Sequence, residues 1–199
     1  MIQCKTDQMK TYIATRIGTV LLLSTLATPS LANELDLRIS DDALHVNFSS
    51  AKHDSKTHFG LGYFYKNDTS PINIINADIH AKGQTAIGNL PATIGIGFQG
   101  NFFKADEFKG SAVGIGGSFK VNIPSAPGVS LETALHYAPK VISFGDSDEF
   151  RRFRLQGNYR IIENADISIG YRYLNVGDEQ SNDNHSFESG AFLGFKLKL

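Results

Sequence analysis

Ser186-Phe187-Glu188-Ser189-Gly190-Ala191-Phe192-Leu193-Gly194-Phe195-Lys196-Leu197-Lys198-Leu199 alternates from end to end. Phe187, Ser189, Ala191, Leu193, Phe195, Leu197 and Leu199 share one parity, and Ser186, Glu188, Gly190, Phe192, Gly194, Lys196 and Lys198 share the other. Side chains of a strand point alternately to opposite faces, so this is a strand with an apolar wall opposite a mostly polar one.

The pattern continues upstream. Phe153, Leu155, Gly157, Tyr159 and Ile161 alternate with Arg152, Arg154, Gln156, Asn158 and Arg160. A tight turn at Glu163-Asn164 leads into Ala165, Ile167, Ile169, Tyr171 and Tyr173, set against Asp166, Ser168, Gly170 and Arg172, which makes a hairpin. Similar runs begin near Leu35, Leu44, Phe59, Ile75, Ile94, Val113 and Leu131. The parsing gives an all-β chain of about ten strands, and bacterial barrels carry even strand numbers. The first two candidates span only about seven residues, short of the 9 to 11 that cross a bilayer. An eight-stranded barrel with a peripheral first hairpin is the alternative.

Three features favour an antiparallel transmembrane barrel over a soluble sandwich. The polar parity carries charges of both signs beside many glycines. Tyr63, Tyr65, Tyr137, Tyr159, Tyr171 and Tyr173 all fall on the apolar parity, several near strand ends, as an interfacial girdle requires. The final strand runs apolar at alternate positions to Leu199, as closure without an open edge demands.

The N-terminal stretch is different in kind. Lys5, Lys10 and Arg16 precede the apolar run Ile17 to Ala27, and Ser30-Leu31-Ala32 supplies small residues for cleavage. Residues 1–32 read as a cleaved signal peptide and 33–199 as the barrel. Cys4, the only cysteine, falls in the signal, which leaves no thiol for a disulfide, a metal site or a lipid anchor. The mature part is slightly acidic, which excludes the basic footprint of a nucleic-acid binder.

If the chain starts on the inner side, the outer loops are Asn67 to Pro71, Lys104 to Lys109, Gly145 to Glu149 and Gly177 to His185. Inner turns are Glu163-Asn164, Pro124 to Gly128 and a longer Gly83 to Pro91.

His136-Tyr137-Ala138-Pro139-Lys140-Val141-Ile142-Ser143-Phe144-Gly145-Asp146 and Asn164-Ala165-Asp166-Ile167-Ser168-Ile169-Gly170-Tyr171-Arg172 resemble the signature segments of the YfaZ family of outer-membrane proteins. Glu34-Leu35-Asp36-Leu37, Asp42-Ala43-Leu44 and Phe59-Gly60-Leu61-Gly62-Tyr63 fit the same family. The resemblance implies a Gram-negative outer-membrane barrel, porin-like, with no established substrate. It also implies insertion by the barrel assembly machinery, which reads the terminal residue; relatives usually end in Phe where this chain has Leu199.

The candidate functional residues are the charges of the inward parity: Arg38, Asp78, Lys82, Glu132, Arg152, Arg154, Arg160, Asp166, Arg172 and Glu188. In a porin they would line a narrow pore and bias ion selectivity. In a closed barrel they would plug the interior as ion pairs, with the loops binding lipopolysaccharide or a partner, because barrels of about eight strands have interiors that side chains fill. Asp166 is the expected partner of the Arg152, Arg154 and Arg160 row. The glycines at 95, 97, 114, 116 and 117 leave room for a bulky inward side chain, with Phe103 or Phe64 the expected occupant. His80 and His136 lack a local nucleophile motif, so the chain reads as no enzyme, and no cofactor site is evident. The acidic stretch Asp178-Glu179, Asp183 and His185 matches no calcium-loop spacing.

Overall fold

The structure, a computed structural model, describes residues 31–52, 56–68, 70–105, 108–178 and 184–199. Its strands are β1 (Leu31–Ile39), β2 (Ala43–Lys52), β3 (Thr57–Lys66), β4 (Ile72–Ile87), β5 (Leu90–Ala105), β6 (Phe108–Asn122), β7 (Val129–Ala138), β8 (Ser143–Gly145), β9 (Ser147–Ile162), β10 (Ala165–Asp178) and β11 (Asn184–Lys198). Each long strand bonds to the next in sequence, and β1 pairs antiparallel with β11, Leu35 opposite Leu197 and Leu37 opposite Phe195. The result is a closed antiparallel barrel of ten strands. The first hairpin is a full member of the wall, with strands of nine and ten residues. The eight-stranded alternative therefore does not hold. The strands outrun the sequence estimate because Asn33, Ser50 and Ala51, weak strand formers, continue ladders that the neighbouring strands dictate.

The short β8 is the continuation of β7. β7 pairs with the Ile115–Asn122 part of β6, and β8 takes up the same strand at Gly110–Ala112. Between them Pro139 ends β7 and a single 3₁₀ turn spans Lys140–Ile142, closed by the Ile142 amide on the Pro139 carbonyl at 3.0 Å. Asp146 then clamps the detour to β6. Its carboxylate accepts the Lys109 amide at 2.8 Å, and its own amide donates to the Lys109 carbonyl at 3.1 Å. Gly145 sits at φ +78° there, and a Cβ would press on the Gly110 Cα at 3.1 Å, so the position needs glycine. This gives the Ser143-Phe144-Gly145-Asp146 segment a structural reason.

The connections define two ends. At the turn end lie the end of β2 and the start of β3, Gly88-Asn89, Ile123 to Gly128, Glu163-Asn164 and the finish of β11; the β1–β2, β3–β4, β5–β6, β7–β9 and β10–β11 connections lie at the loop end. The long inner turn expected at Gly83 to Pro91 is mostly strand, with β4 and β5 paired from Ile72–Ala105 down to Ile87–Leu90. Pro91 is tolerated because the β5–β6 ladder begins only at Ala92, so its missing N–H faces no partner on that side.

The barrel is inverted relative to a water-soluble protein. Ile96, Leu193 and Ile169 point outward at 68%, 66% and 64% exposure, whereas Arg172 and Arg38 inside are 2% and 3% exposed. So continuous an apolar exterior suits lipid, and closure of β1 on β11 leaves the sheet without an open edge. Tyr63, Tyr137, Tyr159 and Tyr171 lie on this exterior. Tyr63 donates to Asn73 at 2.7 Å, and the Tyr171 and Ser189 hydroxyls are 2.7 Å apart.

Candidate functional site

The lumen is the candidate site, and side chains fill it in tiers. The tier at the loop end is apolar. Phe64 on β3, Ile72 and Ile74 on β4, Phe103 on β5, Phe150 on β9, Leu174 and Val176 on β10 and Phe187 on β11 form one buried cluster. Phe103 is its hub: its ring stacks on Phe108 and Phe150 at centroid distances of 5.9 and 6.3 Å and meets Phe187 edge-on at 6.1 Å. Strands from every side of the barrel contribute, so the cluster caps the lumen across its width.

Beneath the cap, aromatic rings give way to guanidinium groups. Arg172 lies over the Phe64 ring at 4.8 Å and the Phe192 ring at 5.6 Å, and donates to Glu188 at 2.6 Å. Arg38 ion-pairs with Asp36, donates to His45 Nδ1 at 3.0 Å and lies 5.9 Å from the Phe192 ring. Arg152 donates to Gln99 Oε1 at 2.9 Å and sits over Phe150. Arg38 Nε, Arg152 Nε and both Nε and Nη1 of Arg172 are buried without an acceptor among the described residues, and the aromatic faces beside these planar guanidinium groups meet part of their charge instead.

On the β4–β7 side, Asp78, His80 and His136 form a hydrogen-bonded line. His80 Nδ1 lies 2.9 Å from Asp78 Oδ1, and His80 Nε2 lies 2.8 Å from His136 Nε2. Both His80 nitrogens are thereby engaged, and the pair acts as a strut across the wall. The glycines beneath it explain the fit. A Cβ at Gly97 would come within 2.8 Å of the His80 ring, and one at Gly116 within 2.7 Å of the His136 ring. The space over these glycines therefore belongs to the two histidines. Phe103 and Phe64, the expected occupants, lie higher, in the cap, because their strand positions are closer to the loop end.

Towards the turn end the filling is ionic. Glu132 accepts Arg154 at 2.6 Å and Lys196 at 3.4 Å, and Lys196 also reaches Asp36 at 3.9 Å. Asp166 pairs with Lys198 at 3.1 Å and Arg160 at 3.5 Å. The arginine row thus splits among three partners. Asp166 sits opposite Arg160 in the β9–β10 register and reaches only that member; Arg154 goes to Glu132 and Arg152 to Gln99. Successive inward residues of a strand stand about 6.6 Å apart, too far for one carboxylate to serve all three.

Arg38, Asp78, Lys82, Glu132, Arg152, Arg154, Arg160, Asp166, Arg172 and Glu188 all lie on the inward face. Arg38, Arg172 and Glu188 are buried in the upper tiers, while Arg160 is half-exposed at the turn end. Lys82 runs past Gly95, where a Cβ would lie 3.2 Å from its Cγ. The reading of the sequence missed the cap. Its signal was present as apolar residues on the polar parity near strand ends: Phe64, Ile74, Phe103 and Phe150. The side chains of the acidic stretch 178–185 lie outside the described residues.

A family model described as "YfaZ precursor" matches residues 12–199. No curated protein matches the chain at a significant level. Among solved structures, Neisserial surface protein A is similar at 13% identity over 85% of this chain and 94% of that one, with a TM-score of 0.34. The translocator domain of the autotransporter NalP from Neisseria meningitidis is similar at 12% identity over 98% of each chain, with a TM-score of 0.32. A chain from a study of in-meso crystallization of membrane proteins covers 85% of this one and 83% of itself at 14% identity, TM-score 0.41.

Proposed function

The chain belongs to the YfaZ precursor family, and on that premise we propose that it is a Gram-negative outer-membrane barrel with a shut lumen. In this reading residues 1–32 direct export and are removed, and the barrel assembly machinery inserts residues 33–199. The loop end faces outward and the short turns face the periplasm, the usual arrangement of such barrels. The barrel then acts as a structural and interaction element, with its loop-end surface as the contact for lipopolysaccharide or a protein partner.

The observation that carries this is the apolar cap. An ion crossing it would leave water for a plug of phenyl rings and aliphatic side chains, and the described residues of that cluster offer no polar side chain in place of its hydration shell. Beneath the cap, Arg172–Glu188, Arg154–Glu132 and the His80–His136 strut occupy the cross-section. A porin-like reading draws on the charged inward faces, which would set selectivity if the cap opened.

The test is planar-bilayer conductance of the refolded mature chain, with heat-modifiable gel mobility as the check on folding. Folded barrels without discrete current steps are expected. Stable steps whose ion selectivity changes on reversing Arg152 or Arg154 would replace this proposal with the porin.

A further inference from the structure

At the turn end the lumen opens into a cleft of about 420 Å³. One wall is apolar and rigid. It consists of Pro91 at the start of β5, Ile123, Pro124 and Pro127 from the β6–β7 turn and Val129 at the start of β7. That turn is held by its own backbone: Ile123 to Val129 at 3.1 Å, Ala126 to Ile123 at 3.0 Å and Val129 to Ala126 at 3.0 Å. The Arg160 amide then ties it to β9 through the Gly128 carbonyl at 2.9 Å. Gly128, at φ +87°, makes the bend possible. Three of the chain's six prolines stand in this wall, so its shape is set before any ligand arrives.

The charged part of the lining is Lys120, Arg160 and Asp166, the last with Arg160 on one carboxylate oxygen and Lys198 on the other. Asp166 is thus shared by two cations already. Glu132, opposite Lys120 in the β6–β7 register, is engaged by Arg154 and Lys196. Lys120 has no carboxylate within ion-pairing distance among the described residues. Ser130 and Asn122 add neutral hydrogen-bonding groups at the rim.

We propose that this cleft is a binding site for a small amphiphilic anion, with a phosphate or carboxylate head on Lys120 and Arg160 and an apolar body on the Pro91–Ile123–Pro124 wall. Each half of the cleft specifies one half of the ligand. Lys120 makes no ion pair among the described residues and Arg160 holds Asp166 only through Nε at 3.5 Å, which leaves donors for an incoming oxyanion, and charge-assisted bonds of that kind are the strong ones. The volume falls within the 300–1,000 Å³ typical of small-molecule sites, enough for a head and a ring or short alkyl chain. The site stands apart from the cap and does not depend on whether the lumen conducts.

The test uses the refolded barrel, isotope-labelled, in nanodiscs of zwitterionic lipid, titrated with phenyl phosphate, inorganic phosphate and phenol. Amide shifts at Gly128, Val129, Ser130 and Arg160 report binding. Phenyl phosphate is expected to give saturable shifts at these amides, with a Kd on the order of millimolar or tighter. Inorganic phosphate and phenol, each holding half of the ligand's chemistry, bind more weakly. Lys120→Gln and Arg160→Gln are each expected to weaken phenyl phosphate about tenfold, the worth of one hydrogen bond between charged groups. Lys104→Gln, at the loop end, leaves binding unchanged. Arg160 is half-exposed, so its variant keeps the test alive should Lys120→Gln fail to fold. Repeating the measurement in discs containing phosphatidylglycerol separates the sources. The same shifts without added solute would assign the site to a lipid headgroup, and their absence to a soluble periplasmic anion. Absent shifts, shifts indifferent to both variants, or inorganic phosphate binding as tightly as phenyl phosphate would overturn the proposal.

Discussion

Phe103 and Gly110 face each other across β5 and β6, and the cap depends on both. Phe103 is 3% exposed and touches three other phenyl rings, so Phe103→Ala removes the hub of the cluster. Truncating a buried Phe costs about 3–5 kcal/mol. Gly110→Ala damages the same place by addition. Its Cβ would stand 2.5 Å from the Phe103 Cε2 and 3.1 Å from the Cζ, so the ring must retreat by about 1 Å into packed neighbours. Overpacking of that size costs about 1–3 kcal/mol. In the double variant the ring is gone and the new methyl group enters the space it leaves. The nearest atom outside that ring is the Phe144 carbonyl oxygen at 3.0 Å, which must give by a few tenths of an ångström. The double variant should therefore be about as stable as Phe103→Ala alone, with a coupling of about 1–3 kcal/mol in favour of the pair. Urea midpoints of the barrel refolded into zwitterionic vesicles, read from the folded band on unheated gels, measure all four corners of the cycle. Additivity within about 0.5 kcal/mol would mean that Phe103 does not rest on Gly110 and would refute the packing described for the cap.

Glu132→Gln should be among the most destabilising single changes in the lower lumen, by about 3–5 kcal/mol, because it strands Arg154 and Lys196 without their carboxylate; the same urea series checks it, and adding Arg154→Gln should recover part of the loss. Gly116→Ala should destabilise the barrel by at least about 1–3 kcal/mol, because its Cβ would collide with the Leu135 carbonyl oxygen, stand 2.7 Å from the His136 Cα and ring and so push the β7 backbone away, whereas Gly157→Ala, whose Cβ meets nothing within 4 Å, should change stability by less than about 0.5 kcal/mol. Ile96→Arg, midway along β5 on the exterior, should cost about 2–4 kcal/mol in vesicles, and Ile162→Arg beside the β9–β10 turn only about 0–1 kcal/mol. Equal costs at the two positions would count against the membrane placement of the barrel.

The wall of the barrel was legible in the sequence because one rule governs it. Ile96, Leu155, Ile169 and Leu193 face outward for the same reason at every strand, and parity alone identifies them. Parity also places the ten candidate charges on the inward face. It does not choose their partners, because those depend on stagger between strands. Arg160 meets Asp166 through a register that begins at the Glu163-Asn164 turn, whereas Arg154 meets Glu132 across a strand pair that is not consecutive in the numbering. The strut was hidden for a similar reason. His80 and His136 are separated in sequence by two strands, and only the glycines of β5 and β6, which lift no side chain between them, let the rings meet. Extended β8 and the Pro139 detour were beyond a periodicity reading, since alternation breaks where the chain leaves the ladder.

The two ends of the lumen are built on opposite principles, and that asymmetry bears on function more than the charge count does. At the loop end the inward positions reverse the polarity of the rest of the lumen: Phe64, Ile74, Phe103, Phe150 and Leu174 occupy sites that the alternation assigns to polar residues. Stability alone would not demand this, since the ion-paired tiers below already fill their cross-section. An apolar stopper at one end makes sense if that end must exclude ions and polar solutes while the loops above it stay free to vary. At the turn end the residues do the reverse, and Lys120 and Arg160 line a solvent-reached cleft whose one lining carboxylate, Asp166, is shared with Lys198. The same sequence thus seals one face against charge and offers the other to it, and a ligand entering from the turn end would meet binding groups before it met the plug.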